Sequence, residues 1–122
     1  MVPHPKEIRW VGSAYEDLLD FPDGARRDAG FQLSKVQSGQ EPDHWKPFDQ
    51  AGSGTREIRI RDSSDIFRVM YIAKFEEAVY VLHCFQKKTQ STSQRDKDIA
   101  TARYRAIAST YNARTISHED RH

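Results

Sequence analysis

The chain has 122 residues, 37% apolar and 30% charged, with 19 Lys and Arg against 18 Asp and Glu, a length that suits one compact domain. Its longest mainly apolar run, residues 66–75, is broken by Arg68 and Lys74 and falls short of the roughly 20 apolar residues that span a bilayer, which excludes a transmembrane helix. The polar N-terminus has no signal-peptide core, and Cys84 is the single cysteine, so the expected setting is a reducing cytoplasm with neither a disulfide nor a multi-cysteine zinc site.

In chain order, residues 6–12 are rich in strand formers and stop at Gly12, which predicts a short strand. Ser13 with Glu16 three residues on has the spacing of a capping box, opening a helix over residues 14–21 that Pro22 ends. A second helix is expected from Asp23 to Gln37, with Ala25, Ala29, Leu33 and Val36 on one face. Residues 38–54 collect three glycines and two prolines and read as a long loop pinned by Trp45 and Phe48. Residues 55–62 alternate strictly, Ile58 and Ile60 against Glu57, Arg59 and Arg61. Two further strands, 66–75 and 78–88, follow after short turns, so the three form an antiparallel meander. Residues 94–112 carry Ala100, Tyr104, Ile107, Ala108 and Tyr111 on a helical stripe. The expected fold is α+β, β-α-α-β-β-β-α, with helices packed on one face of a mostly antiparallel sheet. The domain is expected to span residues 1–113, followed by a polar, loose tail over 114–122.

The near-neutral total hides a division. Residues 1–50 hold six basic and nine acidic side chains, and residues 51–122 hold thirteen and nine. This is either ordinary surface variation or a polyanion-binding face on a neutral scaffold. The strand alternation favours a specific face: if Glu57, Arg59 and Arg61 share a side with Arg68, Met70, Ile72 and Lys74, and with Val81, His83, Phe85 and Lys87, then Arg59, Arg61, Arg68, His83 and Lys87 converge. Phe67, Val69, Tyr71 and Phe75 then face the core, and a one-residue slip would invert any strand's contribution. His83 fits a general acid or base and fits a structural histidine equally well. Cys84 reads as a buried hydrophobe. Neither a phosphate-binding glycine loop nor a histidine pair at ligand spacing is present outside the C-terminal tail, so no metal and no cofactor is expected.

Arg and Lys clustered in this way suit cleavage of RNA by its own 2′-hydroxyl. That reaction needs cations on the phosphate and a proton for the leaving oxygen, and a lysine crowded by arginines can exchange protons near neutrality.

Five pieces of sequence then carry a resemblance: Lys46-Pro47-Phe48; Glu57-Ile58-Arg59-Ile60; Phe67-Arg68-Val69-Met70-Tyr71; Leu82-His83-Cys84-Phe85-Gln86-Lys87-Lys88-Thr89-Gln90; and the helical spacing of Ile99, Ala102 and Arg105. In this order they resemble the HigB-type, phage-derived host-inhibition branch of the RelE/ParE toxin superfamily. The resemblance implies a RelE-like fold and a type II toxin–antitoxin toxin. It further implies metal-independent cleavage of mRNA on the ribosome and neutralisation by a helix-turn-helix, HigA-like antitoxin through which alone DNA is reached. It points to Arg59 and Arg68 as phosphate clamps, Lys87 in proton transfer or leaving-group stabilisation, and Lys88 on the RNA backbone. Arg61 and His83 join this RNA-facing set from the strand alternation, and Glu57 and Tyr71 occupy matching motif positions. Where the family often continues with Lys, Thr and Pro, this chain has Ser91-Thr92-Ser93. The alternatives are a ParE-like toxin without nuclease activity, acting on a protein such as gyrase, and an inactive antitoxin-binding module.

Overall fold

A computed structural model describes the backbone of residues 5–119 and the side chains of residues 5–111. Strand β1 (Glu7–Trp10) leads into helices α1 (Ala14–Leu19) and α2 (Asp23–Gln37). Strands β2 (Trp45–Pro47), β3 (Thr55–Asp62), β4 (Asp65–Ile72) and β5 (Ala78–Lys87) follow, then helix α3 (Gln94–Glu119). The sheet order is β1-β5-β4-β3-β2, antiparallel throughout except for β1, which lies parallel to β5. The α+β class and the antiparallel meander are as expected. The short β2, which pairs Lys46 with Glu57, forms inside what reads in sequence as loop.

One feature of the expected architecture is corrected. The helices do not share a face of the sheet. Helices α1 and α2 bury Leu18, Ala25, Ala29, Leu33 and Val36 against Ile58, Ile60, Phe67, Val69 and Tyr71. Helix α3 instead lays Ala100, Tyr104 and Ile107 against Met70, Ile72, Tyr80 and Leu82 on the other side. β4 is apolar on both faces over its last residues, and a strand of that kind requires cover on both sides. Phe48, from the segment before β3, is buried in this second core, while Trp45 stacks under the Arg56 guanidinium, 4.1 Å from its ring centre.

Local deviations have physical causes. The capping box at Ser13 does not form, because the Ser13 hydroxyl donates to Asp17 and accepts from Arg103 instead. Gly12, at φ +58°, lets that arginine lie against the backbone, where a Cβ would come within 2.6 Å of Nε. Arg103 also donates to the Leu82 carbonyl, tying α3 to β5. In β5 the register shifts: Met70 pairs with His83 but Tyr71 pairs with Val81, so Leu82 is an extra residue. This bulge sends Val81 into the α1/α2 core and Leu82 and Tyr80 under α3, the reverse of simple alternation. Helix α3 runs past Asn112 to Glu119, so it includes most of the segment read as a tail, and residues 120–122 lie outside the described residues. No helix among the described residues is long and apolar enough to cross a membrane.

Candidate nucleic-acid interface

Helix α3 covers only part of its sheet face. The uncovered part is built by register. Arg59 on β3 pairs directly with Arg68 on β4, which pairs with Phe85 on β5. One step toward the open end, Arg61, Ile66 and Lys87 form the next row, and one step toward α3 stand Glu57, Met70 and His83. Directly paired residues point to the same side, so Arg59, Arg61, Arg68 and Lys87 share one face.

Two adjoining depressions result, both bordered by Arg59 and Arg68. One, of about 510 Å³, is lined further by Ile66, Lys87, Lys88, Thr89 and Gln90. The other, of about 400 Å³, lies on the β2 side and is completed by Asp43, His44, Trp45, Lys46 and Glu57. Arg59 and Lys88 are exposed and Lys87 is half-buried. Arg68 is 7% exposed, with its Nη1 3.4 Å from the Glu57 carboxyl group.

The electrostatics follow from this crowding. Burial lowers the pKa of Arg68, the Glu57 charge raises it, and Arg59 lowers it again. It remains a cation, because arginine starts above 12. Lys87 titrates below the usual lysine range, first because of desolvation and then because Arg68 and Lys46 repel its ammonium. Glu57 opposes that shift and Arg59 adds to it. The arrangement can hold a doubly contacted phosphate beside an amine that gives up its proton more readily than free lysine.

The expected residues divide accordingly. Arg59, Arg68, Lys87 and Lys88 are brought together, with Arg61 exposed at the open end of the same face. Glu57 is at the edge of the cluster but fully buried. Tyr71 is not brought to it: it alternates with Phe67 and Val69 along β4, which puts its ring in the α1/α2 core on the opposite face. His83 is 5% exposed, stacks on Phe85 and bonds Asp96 of α3 at 2.8 Å through Nε2. Burial holds its pKa below the ordinary histidine value despite the Asp96 carboxylate, so near neutrality it is an uncharged clamp between β5 and α3. It faces a separate cleft, with Asp17, Asp96 and Arg103. Lys46 is the site residue that side-chain patterning missed. Its signal was the Lys46-Pro47-Phe48 piece, which β2 delivers opposite Glu57.

A family model described as Phage derived protein Gp49-like (DUF891) matches residues 16–105, which include every side chain of both depressions. A search of curated proteins found no match.

Proposed function

The chain belongs to the Gp49-like family of phage-derived, toxin-like proteins, a membership that implies an antitoxin partner, and from that premise we propose that it is a metal-independent endoribonuclease that cleaves mRNA on the ribosome. It is the toxin of a type II pair and acts in the cytoplasm, where a HigA-like helix-turn-helix antitoxin neutralises it. The observation that carries this reading is the direct pairing of Arg59 with Arg68 beside Lys87 on the uncovered end of the sheet. Like charges directly opposite on neighbouring strands destabilise a sheet. Their presence together is accounted for by an anion that takes both.

In the proposed reaction, Arg59 and Arg68 hold the non-bridging oxygens of the scissile phosphate and stabilise the charge that grows as the 2′-hydroxyl attacks phosphorus. As the P–O5′ bond breaks, Lys87, with its proton loosened by its neighbours, hands that proton to the departing 5′-oxygen, while the proton of the attacking 2′-hydroxyl passes to solvent water. Lys88 and Arg61 extend the cationic surface along the RNA backbone.

The test is induced expression followed by primer extension on cellular mRNA. New 5′ ends are expected with the wild-type chain and absent with Arg68→Ala and Lys87→Ala. Growth arrest with intact transcripts and a DNA-damage response would replace the reading with action on a protein such as gyrase, and no arrest would leave an antitoxin-binding module.

A further inference from the structure

Glu57 is the single buried acidic side chain among the described residues, with no exposed surface. It stands on β3 opposite Lys46 of β2 and Met70 of β4. Its Oε1 lies 3.4 Å from Arg68 Nη1 and 3.8 Å from Lys46 Nζ, yet neither carboxyl oxygen is hydrogen-bonded within the chain. Arg68 Nε is likewise without a partner. A buried charge held only by loosely approaching cations costs stability, because desolvation outweighs attraction unless hydrogen bonds complete the pair. A carboxyl group there is nevertheless out of reach of RNA and would repel its phosphates.

The groups facing it are nearly all cations. Lys46 approaches from β2 and Arg68 from β4; Arg59 is two residues along its own strand, and Lys87 stands at the end of β5. Asp43 and His44 complete the same depression, with Asp43 already engaged by Lys35 and Gln32. We propose that Glu57 is a positioning residue that anchors one edge of the Arg68 guanidinium and offsets the repulsion among Lys46, Arg59, Arg68 and Lys87, keeping the cluster assembled for an RNA phosphate. The proposal rests on the endoribonuclease reading. The carboxylate 3.4 Å from Nη1 draws that side of the planar guanidinium toward β3 by charge and leaves its other donors for a phosphate, and Arg68 borders the depression that holds Lys87 and Lys88.

The sign of the electrostatic effect is fixed. Glu57 raises the Lys87 pKa, so replacing it with an uncharged amide makes Lys87 release its proton at lower pH.

The experiment is single-turnover cleavage of mRNA on programmed ribosomes by the full chain. It compares wild type, Glu57→Gln, Arg68→Ala and the double variant, each checked for folding by circular dichroism. Glu57→Gln is expected to lower kcat by about 10- to 100-fold with KM little changed, the scale on which supporting partners of a site residue act. In the Arg68→Ala background the same change is expected to alter the rate by less than about 3-fold. An equal factor in both backgrounds would mean that Glu57 acts on its own and would overturn the proposal. Glu57→Asp, which moves the carboxyl by one methylene, supplies a second cycle with the same expectation should the amide not fold. Separately, the Lys87 amine is titrated by NMR in lysine-labelled protein. A shift to lower pH in Glu57→Gln is expected, and an unmoved titration overturns the electrostatic role. Failure of the wild-type chain to cleave would defeat the endoribonuclease reading alone, since the titration is read without activity.

Discussion

The two faces of the central sheet differ in how far their helices reach. Under α1 and α2 the sheet is apolar over nearly its whole length, and Ile58, Ile60, Val69 and Tyr71 are at most 1% exposed. On the other face α3 covers Met70, Ile72, Tyr80 and Leu82, and beyond its N-terminal end the sheet carries Arg59, Arg68 and Lys87. β4 contains both regimes on one side: Met70 lies in the core, and Arg68, two residues earlier, faces the cationic depression. Outward positions of a strand are therefore apolar or cationic according to where a helix ends, and stability and proposed chemistry are assigned to different ends of the same strands.

The comparison is broken most strongly from the continuous core. Ile58→Ala, at a fully buried position between α2 and the sheet, is expected to destabilise by about 2–5 kcal/mol, as large-to-small core substitutions do. Denaturant unfolding measures it, and toxicity should fall only as folded protein is lost. Arg68→Ala comes next. Removing one partner of a buried pair costs about 3–5 kcal/mol when the other charge is left uncompensated. Lys46 remains 3.8 Å from Glu57, so the expected loss is nearer about 2 kcal/mol, below that of a severed buried pair. In the double variant Glu57→Gln/Arg68→Ala part of that loss should return, because no buried charge is left uncompensated.

Much of this was legible in the sequence because alternation and helical period are local. Ile58 and Ile60 against Arg59 and Arg61, or Ala25, Ala29 and Leu33 on α2, depend only on neighbours along the chain. What was not legible depends on partners far away. The bulge at Leu82 and His83 inserts one residue into β5 and inverts Val81, Leu82 and Tyr80 relative to the alternation, with no glycine or proline to announce it. The placing of α3 on the second face required knowing that Met70 and Ile72 need cover, a fact about layers rather than spacing. Arg59, Arg68 and Lys87 were placed together by alternation because they lie on the open side of the bulge, where the register is regular. Tyr71 lies on the opposite face of β4 with Phe67 and Val69, and His83 is taken up by Asp96 of α3, so neither joins the cluster.

The covered and uncovered halves of the α3 face also differ in their response to acid. His83, buried under α3, has a folded pKa below its ordinary value of 6.5. The unfolded chain then binds more protons than the folded one between those two values, so stability rises with pH across that window and falls on acidification below 6.5. Thermal unfolding between pH 7 and pH 5 should show this slope, reduced in His83→Gln. An identical slope in both proteins would remove His83 as its source. Lys87 lies at the uncovered end, away from His83 and its Asp96 partner, so Lys87→Ala should leave the His83-dependent acid slope unaltered while abolishing toxicity.

The smallest expected effect on folding belongs to a residue with one of the largest expected effects on function. Arg59 is exposed, and it forms no ion pair among the described residues; its direct cross-strand neighbour is Arg68, another cation. Deleting it removes a repulsion and little packing, so Arg59→Ala is expected to change stability by less than about 1 kcal/mol, with the sign toward stabilisation. On the proposed reading toxicity should nevertheless fall, because one of the two proposed phosphate contacts is gone. The same substitution should also raise the Lys87 titration midpoint slightly, since Arg59 contributes to lowering it. A stable, inactive Arg59→Ala protein is what a like-charge pair kept for an anion requires. A destabilised one would mean that Arg59 contributes to packing and that the cationic end of the sheet is not held open for RNA.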